Sequence, residues 1–187
     1  RYYQIRKTVK GKNLPNVYMI HGELSNTEMN ELYNHSKVKA MVSLTKGEGF
    51  GRPLLEFSLS QKPIMVSGWS GHMDFINPEF SLVLNGNLKN VDRSAVVPNM
   101  ILPESQWFSP NPSDVGNGFK SIFKNYKKHL VTAKRQAHYS KTNFSWSAMD
   151  ELLSSHLDKN IPKFAKQVTL NLPNLNTNKL ELPKLKK

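Results

Sequence analysis

Two carboxylates, Glu48 and Glu56, stand seven residues apart around the stretch Gly49-Phe50-Gly51-Arg52-Pro53-Leu54-Leu55. A carboxylate in a glycine loop can accept hydrogen bonds from sugar hydroxyls, because little side-chain bulk keeps the ligand away. A second carboxylate about one turn into a following helix can take two vicinal hydroxyls, such as those of a ribose. Between them, the unpaired N–H groups at the start of that helix suit a phosphate or another anion. The plainer alternative is a solvated loop and a wet helix face, and spacing alone does not separate the two.

The elements that must hold these groups follow from the flanks. Residues 40–44 form an apolar run ended by Thr45-Lys46-Gly47, which reads as a short buried parallel strand. Pro53 suits the first helical turn, where its missing N–H is no loss. The unit is therefore strand, glycine loop, helix. Upstream, residues 17–20 read as another strand, and Ser25 to Glu28 as a capping box. Met29, Leu32 and Tyr33 continue that signal as one short helix. Downstream, residues 64–67 and 81–84 read as two more strands. Strands alternating with helices predict a doubly wound parallel α/β sheet.

Ligands of such sheets lie beyond the carboxyl ends of the strands. His21-Gly22, the loop from Thr45 to Gly51, and the segment from Gly68 to Asp74 all fall there. His21 and His72 are candidates for a base or ribose contact, with a strand-capping role favoured for both. Trp69 packs on a ligand ring or closes its loop against the core, the second being favoured.

Residues 85–112 are rich in Asn and Pro and read as an irregular connection with at most a short strand. Ser113 or Asp114 is then expected to cap one long helix. Its expected apolar face runs through Val115, Phe119, Ile122, Phe123, Tyr126, Leu130, Ala133 and Ala137. Lys120, Lys124, Lys127, Lys128, Lys134 and Arg135 fill the rest, as a solvated face or, less favoured, an anion-binding one. Phe144-Ser145-Trp146 leads into a further helix over residues 147–157. Beyond it, two Leu/Pro-containing segments form a basic extended tail, residues 158–187, restricted by its prolines to sheet edges.

Composition narrows the field. The net charge of +12 favours anionic partners: nucleotide sugars, nucleic acid or an acidic membrane surface. No cysteine is present, so disulfide frameworks and thiolate metal sites are excluded, and the six histidines lack metal-ligand spacing. No apolar run reaches the length of a membrane span.

The stretch from Glu48 to Glu56 resembles the E-x7-E signature of the retaining GT-B glycosyltransferases. Thr45 falls where that family usually has a serine. Residues 62–67 resemble its next strand. Gly68 to Asp74 resembles the loop after that, with Gly71 on the family's glycine and Asp74 on its usual glutamate. Residues 16–22 resemble its earlier "NVxFxG" strand, ending at Gly22. The likeness runs from about residue 16 to 84, with a weaker tail to 157. There are departures: Gln61 stands where a glycine helix cap is usual, and Arg52 where an apolar residue is common. Arg52 is either a cation beside the donor phosphates or a solvated arginine, the second slightly favoured.

The resemblance implies part of the GT-B C-terminal, donor-binding domain over residues 1–157: a Rossmann-like sheet with C-terminal helices. It implies sugar transfer from a nucleotide-diphosphate sugar with retention of configuration, with no cofactor or metal. Glu48 would serve the transferred sugar as the catalytic carboxylate and Glu56 the ribose. Gly22, Thr45, Gly49, Phe50, Gly51, Arg52, Leu54, Leu55 and Gly71 would line the donor site. The family's N-terminal acceptor domain is not matched, nor are the opening strands that stand centrally in its sheet and carry an Arg and a Lys for the diphosphate. The chain alone is therefore expected to be inactive, the acceptor stays open, and the expected location is cytoplasmic or peripheral to a membrane. Two alternatives are sugar transfer to modified nucleic acid, not favoured because no nucleic-acid motif is present, and a non-catalytic anion-binding module.

Overall fold

The computed structural model describes residues 15–162, and the basic segment 1–12 and most of the tail lie outside that range. The chain divides into two compact units, Arg1–Met149 and Asp150–Lys187. All that follows, apart from most of the last helix, concerns the first.

The first helix, α1 (Asn26–Asn34), starts as expected. The Ser25 N–H donates to Glu28 Oε2 at 2.8 Å, and Ser25 Oγ accepts from the Glu28 N–H at 3.3 Å. The bond from the Ser25 backbone, helped by its hydroxyl, holds the Glu28 carboxyl below its ordinary pKa. Lys62 closes the other end by donating from Nζ to the carbonyls of Tyr33 and His35, at 2.6 and 2.8 Å. The sheet then forms from β1 (Met41–Ser43), β2 (Ile64–Ser67) and β3 (Leu82–Leu84), in that order and all parallel. Met41 lies opposite Ile64, and Met65 opposite Leu82. Helix α2 (Arg52–Ser58) joins β1 to β2, and a 3-10 turn at Gly71–Asp74 lies between β2 and β3.

Strand alternation divides the core. Ile64 and Val66 meet Leu54 and Phe57 of α2 together with Phe75 and Ile76, whereas Met65 meets Leu84 and Ile122. The fold is thus the expected α/β arrangement around a parallel sheet, Rossmann-like.

Several local expectations are corrected. Residues 17–20 form no strand and are exposed, Tyr18 at 84%. A strand exists through its ladder, and none of β1 to β3 pairs with this run. β1 is half-buried, not buried, because only one of its edges is paired among the described residues. Residues 85–112 contain an antiparallel hairpin, β4 (Gly86–Asn90) with β5 (Gln106–Pro110). Its polar β4 shows no apolar alternation, and that hid it from periodicity.

The expected long helix is two: α3 (Pro112–Lys124) and α4 (Tyr126–Asn143), broken at Asn125. Asn111, not Ser113 or Asp114, precedes the first turn, and Pro112 occupies its start. Phe119 and Phe123, expected inside, are 51% and 87% exposed. The inward side of α3 is Val115, Gly118 and Ile122, because a side chain at Gly118 would overlap Met65 Sδ. A glycine as the contact residue rotates both phenylalanines outward. The last helix, α5 (Trp146–Asn160), begins at Trp146, which is 93% exposed. No helix among the described residues is long and apolar enough to cross a membrane.

Candidate functional site

The loop between β1 and α2 is held by its main chain. The Glu48 N–H donates to Ser70 Oγ at 2.8 Å, and Ser70 Oγ donates to the Glu48 carbonyl at 2.5 Å. That carbonyl also accepts the Gly71 N–H at 3.0 Å. Both loops must come very close for this. A Cβ at Gly71 would fall on the Gly49 carbonyl, so only glycine fits. Ser70 sits at φ 85° and ψ −171°, a region that is essentially glycine's and costs about 1–3 kcal/mol. Its hydroxyl contacts with Glu48 offset that strain.

The clamp leaves the functional groups of the loop free. Among the described residues, the Glu48 carboxylate has no ion-pair or hydrogen-bond partner. The N–H groups of Gly49, Phe50, Gly51 and Arg52 likewise have no acceptor there. Those of Leu54 and Leu55 are taken up by the Gly51 carbonyl, at 2.9 and 3.3 Å, and Leu54 is buried. Gly51 turns the chain into α2 at φ 87°, and a Cβ there would press on the His72 Cβ. Phe50 is half-exposed, its ring 5.0 Å from Phe75.

Glu56 lies elsewhere. It faces a cleft of about 500 Å³ between α1 and α2, lined by Leu24, Asn30, Tyr33, Arg52, Pro53 and Ser60 among others. Arg52 Nε approaches its Oε1 at 3.1 Å across one helical turn, with the two side chains 79% and 45% exposed. Arg52 is thus a solvated arginine, as the favoured reading had it, paired with Glu56 at the surface. Burial, with the Glu56 charge as the second cause, raises the Tyr33 hydroxyl above its ordinary pKa.

The remaining expected residues are placed as follows. Gly71 belongs to the Glu48 clamp. Thr45 follows β1, and its Oγ1 is buried with no partner among the described residues. Gly22 and His21 lie in the exposed segment before α1, with nothing within 4 Å of where a Gly22 Cβ would be. His72 is fully buried and places Nε2 2.7 Å from the Ser67 carbonyl, capping β2 as the favoured reading had it. Trp69 is only partly in the core, at 45% exposure. Gln61, at φ 60°, adopts the left-handed conformation for which a glycine cap is usual.

Sequence reasoning missed a buried polar network beneath both glutamates. Gln136 of α4 is 1% exposed. Its Oε1 accepts from the Asn77 N–H and Ser81 Oγ, at 2.9 and 3.2 Å. Its Nε2 donates to the Phe75 carbonyl and to Ser140 Oγ, at 2.7 and 3.0 Å. Ser140 Oγ in turn meets Ser58 Oγ at 2.9 Å, and Ser58 Oγ donates to the Leu55 carbonyl at 2.6 Å. One side chain thereby fixes α2, which carries Glu56, and the turn whose start clamps Glu48. A glutamine on a lysine-rich helix gives no sequence signal for this.

The arrangement offers two carboxylates and a run of N–H groups without acceptors among the described residues on one strand–loop–helix unit, at the carboxyl end of a parallel strand. No curated protein matches this sequence. The family model described as glycosyl transferases group 1 matches residues 1–95, just over half of the 187, and the chain belongs to that family.

Proposed function

We propose that this domain holds the donor of a retaining sugar transfer, a nucleotide-diphosphate sugar. The observation that carries the reading is the clamp of Glu48 by Ser70 and Gly71, which fixes the loop's main chain while leaving one carboxylate and consecutive N–H groups without partners among the described residues. In this scheme the N–H groups of Gly49 to Arg52 receive the diphosphate. Glu48 accepts hydroxyls of the transferred sugar and stabilises positive charge as the anomeric C–O bond breaks. The electron pair leaves with the diphosphate. The acceptor hydroxyl bonds to the anomeric carbon on the face the diphosphate vacates, and its proton passes to the departing phosphate oxygen. Donors already in position stabilise the leaving charge without reorganising. Glu56 takes the ribose at the mouth of the α1–α2 cleft, where Tyr33 and Arg52 stand beside it.

The test separates the two glutamates. Glu56→Gln should weaken binding of uridine or guanosine diphosphate about tenfold to a hundredfold, the loss of a hydrogen bond to a charged acceptor. Glu48→Gln should leave that binding nearly unchanged and lower kcat of the sugar transfer, as expected for an interaction made mainly in the transition state. Calorimetry on the two variants decides. The reverse pattern inverts the roles, and no change in either removes the main support for a donor site.

A further inference from the structure

Beside the Glu48 loop lies a second feature that the donor scheme does not use. Trp69 immediately precedes strained Ser70, so its backbone is tied to Glu48 through the same clamp. Its indole lies parallel to the ring of Phe108 on β5, with centroids 6.3 Å apart and planes within 5°. Phe108 is buried, and its N–H donates at 3.2 Å to the carbonyl of Lys46, two residues before Glu48. Lys46 Nζ lies 5.2 Å from the ring centroid of neighbouring Trp107. The β4–β5 hairpin is thus joined to the loop from both sides, and Trp69 is backed by a buried ring while 45% of its surface meets water. The result is a flat aromatic plate held beside the Glu48 loop.

We propose that Trp69, backed by Phe108, is a carbohydrate platform that stacks one pyranose ring. The inference rests on the donor-site reading and deepens it. A pyranose presents a face of C–H bonds to the negative face of an aromatic ring, and keeps its hydroxyls at the rim. An indole gives that contact with little entropy to lose, since its ring is already held. One plate of this size matches a single ring and is too small for a protein interface, which buries far more area. The ring comes either from the donor or from the acceptor glycan.

The experiment titrates the 187-residue chain and its variants with three probe classes. These are uridine and guanosine diphosphates, their glucose and mannose conjugates, and the methyl α-glycosides of glucose, mannose and galactose. Trp69→Ala should leave diphosphate affinity within about twofold and weaken one sugar-bearing class about tenfold, comparable to an aromatic contact. Loss confined to the conjugates assigns the ring to the donor, and loss with the free glycosides assigns it to the acceptor. Trp69→Phe should keep most of the affinity. Trp69→Leu, which covers Phe108 without a flat face, should behave like the alanine variant and guards against a folding defect. Unchanged sugar affinity in folded Trp69→Ala and Trp69→Leu, or no sugar-bearing probe bound by the wild type, overturns the platform. Failure of the donor-site reading is distinct: the wild type then binds no nucleoside diphosphate, while the glycosides still decide the fate of the platform.

Discussion

The two ends of the signature stretch are built on different principles. Glu48 is positioned by main-chain contacts that leave its carboxylate untouched. Glu56 is positioned by a helix, and its carboxylate is engaged by an exposed arginine at the mouth of a cleft. A backbone clamp between two loops has one arrangement. A pair of long, solvated side chains has many, and is worth about 0–1 kcal/mol. The rigid end is the one proposed to meet developing charge, where preorganisation matters most. The adjustable end is proposed to meet a ribose, which needs only to be bound.

Substitutions can break or sharpen that contrast. The largest effect is expected below both ends. Gln136→Leu leaves at least two buried groups without partners, at roughly 1–3 kcal/mol each, so stability should fall by about 3–4 kcal/mol. A shift of the denaturant midpoint measures this, and a loss under about 1 kcal/mol would mean that water replaces the amide. Gly71→Ala comes next. Its Cβ must push the Gly49 carbonyl aside, so roughly 2–3 kcal/mol should go, and diphosphate binding with it. If Gly71→Ala melts like the wild type, the rigid end is not rigid.

Arg52→Ala is expected to change stability by less than about 1 kcal/mol, since both partners are solvated. It should alter nucleoside diphosphate binding through Glu56 alone, so the double variant with Glu56→Gln should bind no worse than Glu56→Gln by itself. Additive losses in calorimetry would give Arg52 its own phosphate contact. Phe123→Ala should be almost silent, within about 0.5 kcal/mol, because its ring is 87% exposed. A thermal melt suffices, and a large loss would mean that the ring is covered in solution.

The sequence carried the rigid end well. The capping box, Pro53 in the first turn, the β2 strand and the glycine at position 71 all act locally or through strong steric demands. The left-handed turn at residue 61 survives the replacement of a glycine by glutamine, because the geometry belongs to the helix end. What was illegible depends on tertiary partners. Phe119 and Phe123 fit an apolar periodicity, but the helix is rotated by the Gly118–Met65 contact, and apolar patterns do not count glycine as core. Gln136, Ser58 and Ser140 are polar residue types that carry no core signal, and their mutual bonds make their burial tolerable. The same limit applies to Glu56, whose helix was foreseen but whose cleft depends on α1.

The glutamine network also sets an order of events for a chain leaving the ribosome. The Glu48–Ser70 clamp spans 22 residues and can close early, whereas the bonds through Gln136 and Ser140 span 55 to 82. Contacts so distant in sequence must wait for their partner to be synthesised, and their loop-closure entropy delays them further. A nascent chain halted before residue 136 should therefore exchange its Asn77 amide freely with solvent while the Glu48 amide is already protected. The unit that presents the two glutamates acquires its final support only when α4 arrives.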